Sequence, residues 1–151
     1  MLVIRCWVLD MKQILIVMLA IAVLVPAHPA VAQPPKGGAV FVAYYWRAKP
    51  GHLDAYSAYI RTTAEPIDED ARRHGVFEEV RTVTPGPGTT VDWTHLRVFR
   101  LKDAAAADAL AAGLDAATAR IVPEEATRKA NSERSAALRD FVRREVWTEL
   151  K

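Results

Sequence analysis

Two side chains that can do chemistry, a histidine and an arginine, occupy alternate positions in a segment rich in large apolar residues. Successive side chains of a β-strand point to opposite faces, so His95 and Arg97 would share one face with Trp93 and Phe99. An imidazole can accept a proton near neutral pH, and a guanidinium can hold a carboxylate or an enolate-like oxygen. His95 and Arg97 are therefore the candidate catalytic residues, although the sequence shows no complete catalytic constellation.

The opposite face of the same segment carries Thr94, Leu96 and Val98. Because helices cover the more apolar face of a sheet in a two-layer domain, we expect these three residues to pack beneath helices. The face that carries His95 would then be the one that the helices leave bare. A pocket there would be mostly apolar with a few convergent polar groups, which is typical of small-molecule sites.

Other predicted strands supply residues that could wall such a pocket. Glu145 and Trp147 share one face of the last strand, whereas Tyr44 and Tyr45 lie on opposite faces of the first. Glu145 could also pair with Arg97 across the sheet. The predicted ligand-binding set is Tyr44, Trp93, His95, Arg97, Phe99, Glu145 and Trp147, with Tyr45 as the alternative to Tyr44.

A less specific interpretation of the same pair is also open. His95 and Arg97 could lie at a dimer interface or on a solvated sheet face, where Glu145 or Asp92 would satisfy them. Polar residues at alternate positions are common on strands that have one wet face. The sequence leaves both interpretations in place.

Several other kinds of site find no support in the sequence. The histidines are far apart, without His-x-His or His-Glu-x-x-His spacing, so no metal site is predicted. The Pro/Gly loop at 85–88 lacks the lysine and the strand-to-helix context of a phosphate loop. Basic residues are interleaved with acids and the formal net charge is only +2, so we expect no nucleic-acid partner.

The elements that would position these residues follow from local patterns of apolar residues. A kink or restart of the first helix is expected at Glu65–Pro66, with Gly75 as its C-terminal cap. The charged stretches at 61–70 and 128–140 are expected to be water-facing helix surfaces. The predicted strands are 39–47, 76–84, 91–101 and 143–150, and the predicted helices are 52–74, 104–114 and 122–139.

The first 32 residues are predicted to be a cleavable secretory signal. Ile14–Val25 is an unbroken apolar run, preceded by Lys12 and followed by Ala30 and Ala32, which are small residues at the two positions that a signal peptidase recognises. As a helix this run spans about 18 Å, short of the roughly 30 Å of a bilayer core, which argues against a membrane anchor. Translation could begin at Met11, because the residues before it do not look like a signal. The protein is therefore expected in the periplasm or outside the cell, with no membrane attachment after cleavage.

Removal of this signal would leave a flexible lead-in at 33–38 and one domain over 39–151. The only cysteine, Cys6, lies in the signal, so the mature domain would have no disulfide and would depend on its core for stability. The element order is β-α-β-β-α-β, with the second helical segment split in two. This order predicts an α+β, ferredoxin-like fold with an antiparallel sheet and helices on one face.

Four features of the layout occur together: a strand ending at Lys49–Gly51, a long helix with an internal Pro66, the Pro/Gly hairpin at 85–88, and the closing stretch at 142–147. This combination resembles the dimeric α/β-barrel superfamily, and the closing stretch is similar to that of small exported members of uncharacterised function. The resemblance covers about residues 39–150. It implies a homodimer in which two bare sheet faces meet and enclose a cavity.

The resemblance leaves the function open, because the superfamily includes antibiotic-biosynthesis-type monooxygenases, haem-degrading enzymes, chlorite dismutase-like haem proteins, muconolactone isomerases and stress-responsive proteins. The expected function is an exported homodimer that binds a small apolar or aromatic molecule between its sheets, with no cofactor. One alternative is a cofactor-independent monooxygenase or isomerase of the antibiotic-biosynthesis-monooxygenase type. Another is a haem-binding protein with His95 as the axial ligand. A further possibility is a dimer whose only role is to interact with other molecules, and such a dimer would have a filled barrel with no cavity.

Overall fold

A computed structural model describes residues 38–150 of the chain. The signal predicted over 1–32 and residues 33–37 of the predicted lead-in lie outside the described residues, so they remain predictions. Between residues 38 and 150, no helix is both long enough and apolar enough to cross a membrane.

The described part of the chain alternates four strands with two helical segments, as the sequence predicts. Its strands form one antiparallel sheet in the order β2-β3-β1-β4, and the helices pack on one face of it. The α+β, ferredoxin-like prediction is therefore confirmed, including the split of the second helical segment. The elements are β1 (Val40–Ala48), α1 (Leu53–Tyr59), a π-helical turn (Ile60–Ala64), α2 (Glu65–Arg73), β2 (Glu79–Val83), β3 (His95–Leu101), α3 (Ala104–Ile121), α4 (Glu125–Leu138) and β4 (Arg139–Thr148).

The interruption predicted in the first helix is present as the π-helical turn between α1 and α2. Proline has no N–H to donate to a carbonyl of the preceding turn, so a helix with an internal proline departs from the regular ladder. Pro66 lies in the first turn of α2, where a missing donor costs least. The segment ends at Gly75, whose φ of 73° is the left-handed conformation predicted for its cap.

Helix α3 continues to Ile121, past the predicted end at Leu114. Gly113 lies inside this helix and permits a close approach to the segment that precedes β2. A β-carbon at Gly113 would come within 2.4 Å of a Val76 methyl carbon, so any larger residue would push the two segments apart. The absence of a side chain at Gly113 therefore allows α3 to pack closely against Val76.

Strand β4 begins at Arg139, where the sequence predicts the end of a helix and places the strand start at Arg143. Trp46, Arg47 and Ala48 of β1 pair with Phe141, Asp140 and Arg139 across a bulge in the ladder. Residues 139–141 are therefore part of the sheet and not of the preceding helix. The tertiary contacts made by this strand pairing outweigh the local helix propensity of the segment.

The core lies between the sheet and the helices, and it determines which sheet face is covered. Phe99 and Leu101 of β3 are 2% and 0% exposed, and they pack with Val42 of β1 and Leu110 of α3. Because side chains alternate along a strand, His95 and Arg97 share this helix-covered face. The face prediction for β3 is therefore wrong.

Leu96 and Val98 lie on the opposite face, named here the open face, where their paired residues are Tyr45 and Ala43 of β1. Phe99 and Leu101, the largest apolar residues near the C-terminal end of β3, determine which face of the strand the helices cover. Because His95 and Arg97 lie on the same face as these two residues, they are also placed beneath the helices.

Candidate functional site

A recess between the helix-covered face of the sheet and the helices is the candidate site, and we call it the central cleft. It consists of two cavities of about 260 Å³ and about 150 Å³, both lined by Arg97, Leu114 and Arg139. The remaining walls of the larger cavity are Tyr44, Trp46, Phe99, Ala111 and Asp115. Those of the smaller cavity are Tyr56, Tyr59, Ile60, Ala64, Ile67, Asp68 and Thr118.

Arg97 joins the sheet to α2 through the Asp68 carboxylate, to which its Nη2 donates a hydrogen bond. The two side chains are 12% and 6% exposed. Burial raises the pKa of Asp68, and the Arg97 guanidinium acts in the opposite direction. The Arg97 Nε is also buried and has no hydrogen-bond acceptor among residues 38–150. Arg97 therefore pairs with Asp68 and not with Glu145, the partner that the sequence suggested.

The expectation that the 61–70 stretch faces water is wrong for two of its carboxylates. Asp68 and Asp70 are 5% and 6% exposed. Asp70 accepts a hydrogen bond of 2.7 Å from Arg120 Nε of α3, so it ties the two helices together. The spacing of charges along a helix does not reveal which of them a neighbouring helix will cover.

Arg139, at the start of β4, lies in the cleft and is not on a water-facing helix surface as predicted. Its guanidinium carbon is 3.4 Å from the centroid of the Trp46 ring, which is cation–π geometry. Its Nη1 donates to the Tyr56 hydroxyl at 2.8 Å, and its Nε donates to Ser135 Oγ at 2.8 Å. All three neighbours are neutral, so Arg139 keeps an unneutralised charge at the wall of both cavities.

Tyr56 of α1, which accepts this hydrogen bond from Arg139, is fully buried. Burial raises the pKa of its hydroxyl, while Arg139 and Arg97 act in the opposite direction. The phenol is therefore neutral at physiological pH and serves as an acceptor for Arg139. Its ring also packs edge-on against the His95 imidazole, with 4.6 Å between centroids.

His95 is 2% exposed, and both of its ring nitrogens have hydrogen-bond partners. Nε2 lies 3.0 Å from Ser57 Oγ, and Nδ1 lies 3.0 Å from Thr94 Oγ1. Burial, and secondarily Arg139, lowers the pKa of the imidazole below its usual value. His95 is therefore a neutral, satisfied side chain that connects β3 to α1, and it has no nitrogen free to act on a ligand.

The structure brings together only part of the predicted ligand-binding set. Tyr44, His95, Arg97 and Phe99 share the helix-covered face, where Tyr44, Arg97 and Phe99 line the larger cavity. The other three predicted residues lie on or over the open face: Trp93, Glu145 and Trp147.

The open-face members of the set have partners of their own. Trp93 packs against the Tyr45 ring at 5.7 Å between centroids. Glu145 accepts hydrogen bonds of 2.9 Å from the Tyr45 hydroxyl and from Arg143 Nε. Asp92 also accepts from Arg143, at 3.1 Å. The less specific interpretation made Glu145 or Asp92 the hydrogen-bond partner of His95 and Arg97. Neither carboxylate has that role in the structure.

Sequence reasoning did not select several cleft residues. Trp46 lies two positions after Tyr44, so the alternation of β1 could have found it. The burial of Tyr56 and Asp68 depends on how α1 and α2 rest on the sheet, and Arg139 depends on the bulged pairing of β4. No local pattern signals those placements.

Comparison with known proteins gives a likeness of fold. No protein-family model matches the chain, and no curated protein matches it. Among solved structures, the chain is similar to HapK from Hahella chejuensis, with 13% identity over 74% of this chain and 92% of HapK, at a TM-score of 0.50. The shared feature is the ferredoxin-like fold. An EthD-family protein from Bacillus halodurans matches more weakly, with 11% identity over 75% of this chain and 99% of that chain, at a TM-score of 0.44.

Proposed function

We propose that this domain binds a compact aromatic molecule in the central cleft. The observation that carries the proposal is a recess lined by the aromatic rings of Tyr44, Trp46 and Phe99 together with two arginines, Arg97 and Arg139. Sites for small molecules are concave, mostly apolar and fitted with a few polar groups that orient the ligand. Because His95 and Arg97 lie beneath the helices, the proposal places the ligand within one protomer and not between two sheets.

Filling the larger cavity tests this proposal. Ala111 of α3 lines that cavity, so Ala111→Trp should occupy the space that a ligand would use. Ala116 is an exposed alanine of the same helix that lines neither cavity of the cleft, so Ala116→Trp is the matched control. Suitable probes are naphthalene-1-carboxylate and its uncharged analogue naphthalene-1-carboxamide, titrated calorimetrically.

We expect at least one of the two probes to bind the unaltered protein with one site per chain. Binding should disappear in Ala111→Trp and persist in Ala116→Trp. If neither probe binds, or if Ala111→Trp binds as well as the control, the central cleft is not a ligand site and the proposal fails.

Cofactor-independent catalysis, as a monooxygenase or isomerase, is the second candidate. Asp68 favours it, because this carboxylate lines the smaller cavity and burial raises its pKa towards that of a useful general base. The pairing of Asp68 with Arg97 argues against catalysis. The neutral His95 cannot replace Asp68 as the base, because neither of its ring nitrogens is free. Turnover of a bound aromatic substrate that Asp68→Asn abolishes without loss of binding would support catalysis over simple binding.

A haem-binding role does not fit the surroundings of His95. An axial ligand needs a free imidazole nitrogen directed into an open space, whereas both nitrogens of His95 are engaged by Ser57 and Thr94. Iron binding would require the side chain to give up one of these hydrogen bonds. A Soret band on addition of haemin that His95→Ala removes would contradict this assessment.

We also propose that the open face pairs with a second copy of the chain. This face carries Phe41, Leu96 and Val98 in the middle of the sheet, with the partly exposed Val83 and Trp147 towards its two edges. Apolar groups of this kind gain free energy when they leave water. Val98→Glu would place like charges opposite each other in a symmetric dimer, so it should yield monomers in sedimentation experiments. An unchanged sedimentation coefficient in Val98→Glu would count against this interface.

Export rests on the sequence of residues 1–32, so its test is independent of the cleft. We expect the protein from an expressing bacterium to appear in the periplasm or the medium, with an N-terminus near Gln33. Recovery of the full-length chain from the cytoplasm alone would refute the proposed signal.

A further inference from the structure

We infer that the natural ligand of the central cleft is a planar aromatic carboxylate and that Arg139 binds its carboxylate group. The inference rests on the proposed function and adds the chemical class of the ligand. It begins with the difference between the two cleft arginines. Arg97 is paired with Asp68, whereas no carboxylate of residues 38–150 lies within 4.0 Å of the Arg139 guanidinium.

The contacts of Arg139 fix the plane of its guanidinium and leave one side of it unused. A guanidinium has five N–H donors in a rigid fork. Ser135 takes the Nε–H, and Tyr56 takes one N–H of Nη1. Trp46 covers one face of the group at 3.4 Å. The Nη2 donors have no acceptor among the described residues, and together with the second N–H of Nη1 they match the two oxygens of a carboxylate.

The charge balance of the cleft also favours an anion. Burial keeps Tyr56 and His95 neutral, so the charged cleft residues that are not exposed to solvent are Arg97, Arg139 and Asp68. Among these three groups one positive charge has no carboxylate opposite it. Asp115 lines the larger cavity too, but it is exposed to solvent on α3, where water and salt screen its effect.

The walls beside Arg139 indicate a flat, apolar body attached to that anion. Trp46 and Tyr44 rise from β1, and Phe99 meets Tyr44 edge-on with 5.9 Å between centroids. Leu114 of α3 faces them across the same cavity. A ring lying along these walls would gain both burial of apolar area and aromatic contacts. A small inorganic anion would gain neither.

Two probes that differ only in charge test the inference. Naphthalene-1-carboxylate and naphthalene-1-carboxamide have almost the same shape, so the ratio of their dissociation constants in calorimetry isolates the effect of the anion. We expect the carboxylate to bind about tenfold or more tightly, as a charge-assisted fork contact provides. Arg139→Gln should reduce the ratio to about twofold or less while carboxamide binding is kept.

A matched variant and a second substitution control the result. Arg128 of α4 is half-buried and donates to backbone carbonyls outside the cleft, so Arg128→Gln should leave the ratio unchanged. If Arg139→Gln does not fold, Arg139→Lys keeps the charge without the fork and should weaken carboxylate binding at least about threefold. Equal carboxylate affinity in Arg139→Lys and in the unaltered protein would overturn the role of the fork.

The outcomes separate this inference from the proposed function. If both probes bind with equal affinity, the cleft is a ligand site but its ligand is not chosen by charge, and the inference fails alone. If the carboxylate preference persists in Arg139→Gln, another group holds the anion and the inference also fails. If neither probe binds, the proposed function itself is overturned.

Discussion

Acid should destabilise this domain through one buried histidine. His95 is 2% exposed, and burial together with Arg139 lowers the pKa of its imidazole below 6.5. In the unfolded chain the same imidazole titrates near pH 6.5. Between these two values the unfolded state binds more protons than the folded state, so the free energy of unfolding falls as the pH falls. The contribution of His95 is complete above pH 6.5 and is lost progressively below it.

The size of the effect follows from this difference in proton binding. At pH 5.5 the unfolded imidazole is protonated about ten to one. Protonation of the unfolded state therefore sets an upper limit of about 1.4 kcal/mol on the stability that His95 can lose relative to neutral pH. A small domain is stable by only about 5–15 kcal/mol, so a loss of this size is readily measured.

Urea unfolding at pH 7.5, 6.5 and 5.5 measures the effect, with His95→Gln as the comparison. The variant retains the other histidines, so their contributions cancel between the two chains. We expect the unaltered protein to lose more stability than His95→Gln between pH 7.5 and 5.5, by up to about 1 kcal/mol, with an unchanged dependence on urea concentration. Parallel losses in the two chains would refute the argument, as would an NMR titration that places the pKa of His95 at or above 6.5.

Three further substitutions test how the helices pack on the sheet and against one another. Gly113→Ala should destabilise the domain by about 1–3 kcal/mol in urea unfolding, because its β-carbon would meet Val76 at 2.4 Å. Val76→Ala in the same chain should recover part of this loss, and additive losses would contradict the proposed clash. Leu110→Ala, at a fully buried position of α3, should cost about 2–5 kcal/mol, and a loss below 1 kcal/mol would mean that the core is loosely packed there. Asp70→Asn should lower the urea midpoint because Arg120 loses its carboxylate. In the unaltered protein the stabilisation by Asp70 is lost as the pH falls through the lowered pKa of this carboxyl, and Asp70→Asn should not show this loss. Acid unfolding curves that coincide for the two proteins would contradict this role.

The local features of the fold were predictable from the sequence because each has a short-range cause. Pro66 cannot complete the helical ladder and Gly75 readily adopts positive φ, so the break and the end of the first helical segment were both located. Asp103 caps α3 by accepting a 2.8 Å hydrogen bond from Ala106 N–H, and aspartate is one of the residue types preferred at this position. The antiparallel pairing of β2 with β3 likewise follows from the Pro/Gly loop between them.

The sequence also determined which residues share a face, since side chains alternate along every strand. It grouped His95 with Arg97 and Phe99, and Glu145 with Trp147, and the strand pairing confirms these groups. It also placed Trp93 with His95, which is wrong because β3 begins only at His95 and Trp93 packs over the open face. It did not determine which of the two faces the helices cover. Alternation is symmetrical between the faces, and that choice is made by long-range packing of the largest apolar side chains.

Only the tertiary structure decided the composition of the cleft. Covering the face with Phe99 and Leu101 buries Arg97 beside Asp68 and directs His95 to Ser57 and Thr94. The bulged pairing of β4 then brings Arg139 over Trp46. These contacts join residues that are distant along the chain. Their free energy depends on the docking of helices and strands, which local propensity does not encode.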